Sequence, residues 1–369
     1  MNGDMFRENP VEQDPSSELL SAMARDLPAG RHQFHKERLM AQIHEMMRQE
    51  EQKETAQTPH VTPRRFRLPH PAIVLPALSV VLAGAVFAGL AASTGAQNED
   101  GGVATGPVLT TQIGPASTEG VPRLLDQIAL AAATTAPRAV KPGQYIYIES
   151  KTATTYVRTV DGKASVASDE LHRRQVWESA DGTKGWLIDP AVNDSPEGET
   201  LSLPDEQGNT PKAYLNNPSY DYLTQLPTDP DTLLTKIYDE TEGMGNSPDQ
   251  QAFTTIGDLL GESYPPAELS AALFKAAAKI PGVVIVQDAV DAANRTGVAV
   301  ARLDETSGRR DEWIFDPKNH DFLGRRTVQV RENTTGEDAL IKPGTVVFTS
   351  AVIDRAIVDD IKSTPDRND

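Results

Sequence analysis

Residues 247–289 read SPDQQAFTTIGDLLGESYPPAELSAALFKAAAKIPGVVIVQDA, and the fold turns on this stretch. Ser247 before Pro248 opens a helix, with Gln250 at the capping-box position. Pro265 and Pro266 open the next, whose Leu269, Leu273, Ala276 and Ile280 recur at helical spacing and form one apolar stripe. Pro281 and Gly282 stop that stripe, and a strand begins over 283–286. Working outward, Asp229-Pro230 opens an earlier helix carrying Leu233, Leu234 and Ile237. The connector Gly243-Met244-Gly245-Asn246 lies between helices and has no following Gly-Lys-Ser or Gly-Lys-Thr, so it is no phosphate loop.

On either side of these helices the period changes to two. Upstream, Tyr145, Tyr147, Tyr156, Val157, Val176, Trp177 and the run 186–188 mark strands, punctuated by the hairpin turns Asp161-Gly162 and Asp181-Gly182. Downstream, strands are expected over 298–303, 313–315, 323–330 and 346–352, separated by Thr306-Ser307-Gly308 and Lys318-Asn319-His320. Strands, then helices, then strands with short connections predict an α+β domain, a long curved antiparallel sheet with helices gathered on one face. No internal repeat is convincing.

Before this domain stands the strongest apolar signal in the chain. Residues 72–92, AIVLPALSVVLAGAVFAGLAA, are 21 residues without a charge. At 1.5 Å per residue a helix of this length spans about 30 Å, one bilayer core. About 70 residues precede it, far more than a signal-peptide n-region holds. Pro76, which would break a soluble helix, is tolerated in a membrane. Arg64, Arg65 and Arg67 precede the span, and Asn98, Glu99 and Asp100 follow it, so the positive-inside rule keeps the N-terminus in the cytoplasm. The expected organisation is a cytoplasmic helical segment over 1–70, a transmembrane helix over 71–92, a Gly/Thr/Ser/Pro-rich tether over 93–120 and an extracytoplasmic domain over 121–369. That domain opens with a short helix bearing Val121, Leu124, Leu125, Ile128 and Leu130, with Pro122 in its first turn.

Inside the cytoplasmic segment, a helix over 17–26 precedes a longer one over 31–54. The second carries Phe34, Leu39, Ile43, Met46 and Met47 on one face. Two short helices cannot bury a full core unaided, so this face is expected either to meet a partner or to remain a loosely folded tail.

The whole chain has 369 residues, 35 basic and 53 acidic side chains, a net charge of −18 and no cysteine. Absence of cysteine excludes disulfides, thiolate zinc sites and a cysteine nucleophile. Residues 1–70 hold 10 basic and 11 acidic side chains, which leaves 25 against 42 beyond them. Such an acidic balance repels phosphate backbones and argues against direct nucleic-acid binding.

Chemistry-bearing patterns are few, and no catalytic residue, metal or cofactor is expected. His32 and His35 match no zinc signature, and neither Gly-x-Ser-x-Gly nor Ser-x-x-Lys occurs in a usable place. His172 and His320 are the only histidines beyond the span, so a Ser, His, Asp triad of a cell-surface hydrolase has only scattered parts. Asp304, Glu305, Asp311 and Glu312 lack the alternation and central glycine of a calcium loop and read as solvated hairpin ends. The rings Tyr145, Tyr147, Trp177, Trp186, Trp313 and Phe315 all fall on expected strands. Core packing explains them; the alternative is a concave apolar cleft able to take an acyl chain or apolar peptide.

The order of parts, with the stretches QYIYIES, RRQVWESADGTKGWLID, LPTDPDTLLTKIY, GNSPDQQAFTTIGDLL and KAAAKIPGVVIVQDAVDAANRTGVAVAR, resembles a family of uncharacterised actinobacterial single-span membrane proteins. The outer domain of that family is similar to the lipoprotein-carrier fold shared by LolA-type carriers and the sensor half of sigma-factor regulators. The resemblance implies a half-barrel of antiparallel strands with helices filling its mouth, and a sigma factor as cytoplasmic partner. Zinc-type anti-sigma proteins need His with two Cys, so inhibition of a sigma factor here would be zinc-free. The resulting expectation is a non-enzymatic, single-pass regulator or sensor whose outer domain binds an apolar ligand or envelope protein. A membrane-tethered envelope carrier or chaperone is the alternative.

Overall fold

In the computed structural model the residues described are 105–134, 139–160, 163–193, 195–201, 212–334 and 336–365. The expected span over 72–92 and the cytoplasmic face of Phe34, Leu39, Ile43, Met46 and Met47 lie outside them. Among the described residues no helix is long and apolar enough to cross a membrane.

Two short strands, β1 (Thr105–Gly106) and β2 (Ala116–Ser117), lead into α1 (Val121–Ala133). A first strand block follows: β3 (Tyr145–Val160), β4 (Lys163–Asp169), β5 (His172–Ser179), β6 (Gly185–Ile188) and β7 (Glu199–Thr200). The helical block is α2 (Tyr220–Leu223), α3 (Pro230–Glu240), α4 (Pro248–Glu262) and α5 (Ala267–Ala277). The chain then returns as β8 (Val283–Val290), β9 (Thr296–Asp304), β10 (Arg309–Phe315), β11 (Phe322–Gln329) and β12 (Val346–Val358), with a 3-10 turn at Glu337–Leu340.

All strand pairs are antiparallel, in the order β2-β8-β9-β10-β11-β12-β3-β5-β6-β7, with β4 paired to β3 and β1. The last strand therefore lies beside the first long one, with Val358 opposite Tyr145 and Phe348 opposite Thr154, and this single ladder fuses the two blocks. The α+β expectation is met in this form: a large antiparallel sheet with five α-helices among the described residues. The sheet is open and not strongly curled.

Local chemistry accounts for the helix starts. The Asp229 carboxylate accepts from Thr232 N at 2.9 Å, and Ser247 Oγ accepts from Gln250 N at 3.2 Å, each satisfying a first-turn donor. Gln250 does not complete the expected capping box. Its amide turns instead to the sheet, where Nε2 donates to Asp311 Oδ2 at 2.7 Å and Oε1 accepts from Arg302 Nη1 at 2.7 Å. α5 ends at Ala277 with Ala278 as its C-cap, and Gly282, at φ 81° in the left-handed region, turns the chain into β8.

Leu125 and Ile128 of α1, Leu233 and Ile237 of α3, Phe253 and Ile256 of α4 and Leu273 of α5 pack over Val300, Trp313 and Phe315. Each of these side chains is at most 1% exposed. Leu130, read from the sequence into the stripe of α1, is 68% exposed; Val121, Leu125, Ile128 and Ala129 are that helix's buried face.

The tether expected over 93–120 differs in its second part. Ala116 pairs with Val286, Thr110 bridges to Thr345, and Val346 N donates to Leu109 O at 2.8 Å. These are backbone bonds, which a Gly/Thr/Pro-rich composition does not advertise.

Candidate functional site

Along β10, Asp311 and Trp313 meet α4 while Arg310, Glu312 and Ile314 point the other way, so the sheet has a helix-covered face and a helix-free face. The two faces carry different chemistry.

On the covered face, α4 presents Gln250, Thr254, Asp258 and Glu262 at four-residue intervals, one stripe along the helix. Asp311 accepts from Gln250 Nε2, from Thr254 Oγ1 at 3.2 Å and from Thr327 Oγ1 at 2.6 Å. Arg325 pairs with both Asp258 and Glu262. Burial pushes the Asp258 carboxyl up against the pull of the Arg325 charge. Burial also raises the Asp311 carboxyl, opposed by its bond from Thr327. Between stripe and strands lies a cavity of about 130 Å³, walled by Gln250, Thr254, Asp311, Arg325 and the rings of Trp313 and Phe348. Its volume has room for a few waters or a small molecule but not for a long acyl chain, although apolar atoms make up most of its wall. Nearer β5, a slot of about 10 Å³ has room for about one water. It is lined by Glu178, Tyr220, Glu262 and Tyr264, and burial, with Asp181 adding its charge, pushes Glu178 up to about 7.

The helix-free face is split between ions and rings. Glu312, with no exposed surface, sits between Arg310 and Arg326 at 2.7 Å from each. The same arginines reach Gly114 O at 3.1 Å and Thr111 Oγ1 at 3.2 Å, which ties the segment 105–117 onto the sheet. Asp311 and Glu312 are therefore not solvated hairpin ends, and Asp304 is buried as well. Glu305 alone of that group is exposed, paired with Arg331.

Further along this face Tyr147 and Trp177 pack with ring centroids 5.1 Å apart, joined by Tyr145, Trp186 and Val358. Tyr147 Oη donates to Glu149 Oε2 at 2.6 Å and accepts from Gln175 Nε2 at 2.8 Å. Burial, then the Glu149 bond, push its hydroxyl up to about 12. The end of the described chain crosses over these rings. Trp177 Nε1 donates to Ser363 O at 2.5 Å, and Lys362 Nζ lies 3.6 Å from the Trp186 ring centroid.

The six rings singled out in the sequence thus occupy two places. Tyr145, Tyr147, Trp177 and Trp186 lie on the helix-free face, whereas Trp313 and Phe315 lie under the helices. Trp313 stacks on Phe253 at 3.9 Å, and Phe315 meets Phe274 and Phe322 edge-on. Alternation along each strand separates the two sets, because β3 and β10 place their ring-bearing positions on opposite sides of one sheet. They do not line a common groove.

Among the described residues the histidines are His172 and His320. His172 has Nε2 3.0 Å from Asp189 Oδ1 and Nδ1 2.9 Å from Glu170 O, so both ring nitrogens are engaged. Burial disfavours the imidazolium, but the bond and charge of Asp189 outweigh it and raise the His172 pKa. His320 lies in the turn after β10, its N–H bonded to Asp316 O. Among the described residues no group of three or more His, Asp or Glu forms a metal-binding cluster. No protein-family model matches the chain, and no curated protein matches it in sequence.

Proposed function

We propose that this chain is a non-enzymatic, single-pass membrane regulator or sensor whose C-terminal α+β domain stands outside the cell and binds an envelope protein. The apolar face of Phe34, Leu39, Ile43, Met46 and Met47 meets a cytoplasmic partner, for which a sigma factor held without zinc is the class the resemblance implies. One observation carries the choice of a protein over a lipid as the outer ligand. The sheet is covered on its apolar parts by the chain's own side chains, with Phe253 stacked on Trp313 under the helices. An acyl chain entering that layer would have to displace α4. The carrier reading, with its half-barrel, rests on the resemblance alone.

Topology is the part that decides every version of this reading. A reporter active only outside the cell, fused after Gly120, is expected to work; fused after Glu54, it is expected to be silent. The reverse pattern overturns the proposal. For the ligand class, residues 105–369 titrated with fatty acids or phospholipid should show unchanged tryptophan emission and melting. A saturable shift with a higher melting temperature would move the function to the carrier.

A further inference from the structure

We propose that the ring patch on the helix-free face is a docking site for a short peptide that turns at a lysine, and that residues 361–363 of the chain occupy it as a displaceable stand-in. The inference rests on the protein-binding reading above and names where and what the domain binds. Three separate interactions define the site. The indole N–H of Trp177 takes a backbone carbonyl, that of Ser363. The face of Trp186 takes an ammonium, that of Lys362. The cluster of Tyr147, Trp177 and Val358 takes an aliphatic group, that of Ile361. A hydrogen-bond acceptor, a cation over an indole and an apolar contact at successive positions make a peptide-recognition pattern, since the spacing is that of consecutive residues.

The occupant's own polar contacts turn inward. Ser363 N and Oγ bond back to Asp360 O at 3.1 and 2.7 Å, so these contacts lie within the segment rather than to the sheet. Lys362 itself sits at φ 68°, a left-handed conformation that a lysine adopts only under constraint, and it is exposed. The contrast on the same face is the segment 105–117, which is tied down by strand pairing and by Arg310 and Arg326. Charge favours a cationic partner too, because residues beyond 70 hold 25 basic against 42 acidic side chains.

The chain has three tryptophans, so indole-labelled protein gives three signals, with Trp313 as an internal control. In the full wild-type chain, the Trp177 indole N–H should exchange with solvent at least about tenfold faster than that of Trp313, because it opens with the segment and not with the core. Equal exchange would make the segment a fixed part of the fold and overturn the proposal without any variant. The second arm truncates the chain after Asp360 and adds the peptide acetyl-Ile-Lys-Ser-Thr-amide. The Trp177 and Trp186 signals should shift saturably while Trp313 stays still. The untruncated chain should need at least about tenfold more peptide, since its own segment competes at high effective concentration. A folded truncated chain that ignores the peptide, or binds a glutamate-for-lysine peptide equally well, overturns it. Neither failure touches the topology or lipid results, so the broader reading is judged separately.

Discussion

Trp313 and Trp177 are equally hidden, each 1% exposed, yet they are hidden by different means. Trp313 lies under α4, stacked on Phe253, at a place where a Cβ on Gly257 would come within 2.4 Å of its Nε1. A whole helix had to lose its side chain there to let the ring in. Trp177 packs on Tyr147 and Val358 and is closed over by a few residues near the end of the described chain, bonded to it from the indole N–H to Ser363 O. Degree of burial therefore does not rank these residues by what they hold together; the element that covers them does.

The sharpest test of that contrast is truncation of each ring. Trp313→Ala is expected to lower unfolding free energy by about 3–5 kcal/mol, because the helix, the sheet and Phe253 cannot all collapse into the space. Trp177→Ala should cost less, about 2–3 kcal/mol, since a short covering segment can settle into the gap. Urea denaturation of the two variants gives both numbers. Equal losses would break the comparison and make the covering segment as integral as α4.

A second test separates the two ends of the helix-free face. Glu312→Ala leaves Arg310 and Arg326 buried without their carboxylate, and about 3 kcal/mol should be lost. Glu305→Ala, at an exposed pair with Arg331, should be close to neutral in the same melt. If Glu312→Ala is also neutral, the ionic end of the face is no better anchored than the ring end.

How far these differences could be read from the sequence depends on the signal each one leaves. Helix starts at Asp229-Pro230, Ser247-Pro248 and Pro265-Pro266 were legible because capping and proline act within a few residues. The turns at Asp181-Gly182 and Thr306-Ser307-Gly308 were legible for the same reason; Gly182 and Gly308 take φ 71° and 68°. Which rings share a face was not legible. It follows from the pairing of β12 with β3, a contact between chain-distant segments, and from the irregularity of register between Val352 and Asp354. The buried charges were misread because hydrophilic residues beside a turn are usually solvated. The one clue was Arg310 alternating with Glu312 on a strand whose neighbour carries Arg326, three charges on one side of one sheet. Lys362 left no signal at all, since its role depends on a ring far away in the sequence.

Acidity probes the slot beneath the helices. Glu178 is raised from 4.5 to about 7, chiefly by burial. Its contribution to stability is thus highest below about pH 4.5, where the carboxyl is neutral in both states, and is lost as pH rises through 7, where the fold must hold a charge. Glu178→Gln should therefore raise the melting temperature at pH 8 and change it little at pH 4. The slot is partly open to solvent, so the gain is discounted to about 1 kcal/mol. A gain of the same size at both pH values would show that shape, not charge, limits this site.

The smallest effect expected is at Lys362, and it bears most directly on how the ring end is closed. An exposed ammonium over an indole contributes about 0.5–1 kcal/mol. A non-glycine residue in the left-handed region gives up about 1 kcal/mol that glycine does not. Lys362→Ala removes the first and keeps the second, so it should lose roughly 0.5 kcal/mol and move Trp186 emission toward that of an exposed indole. Lys362→Gly removes both, so its stability should lie within about 0.5 kcal/mol of wild type while its emission changes as in the alanine variant. The two substitutions share the lost contact and differ only in backbone strain. If both leave the emission unchanged, the ammonium does not rest on Trp186 in solution, and the ring end is covered by the aliphatic contact of Ile361 and the single bond from Trp177 to Ser363.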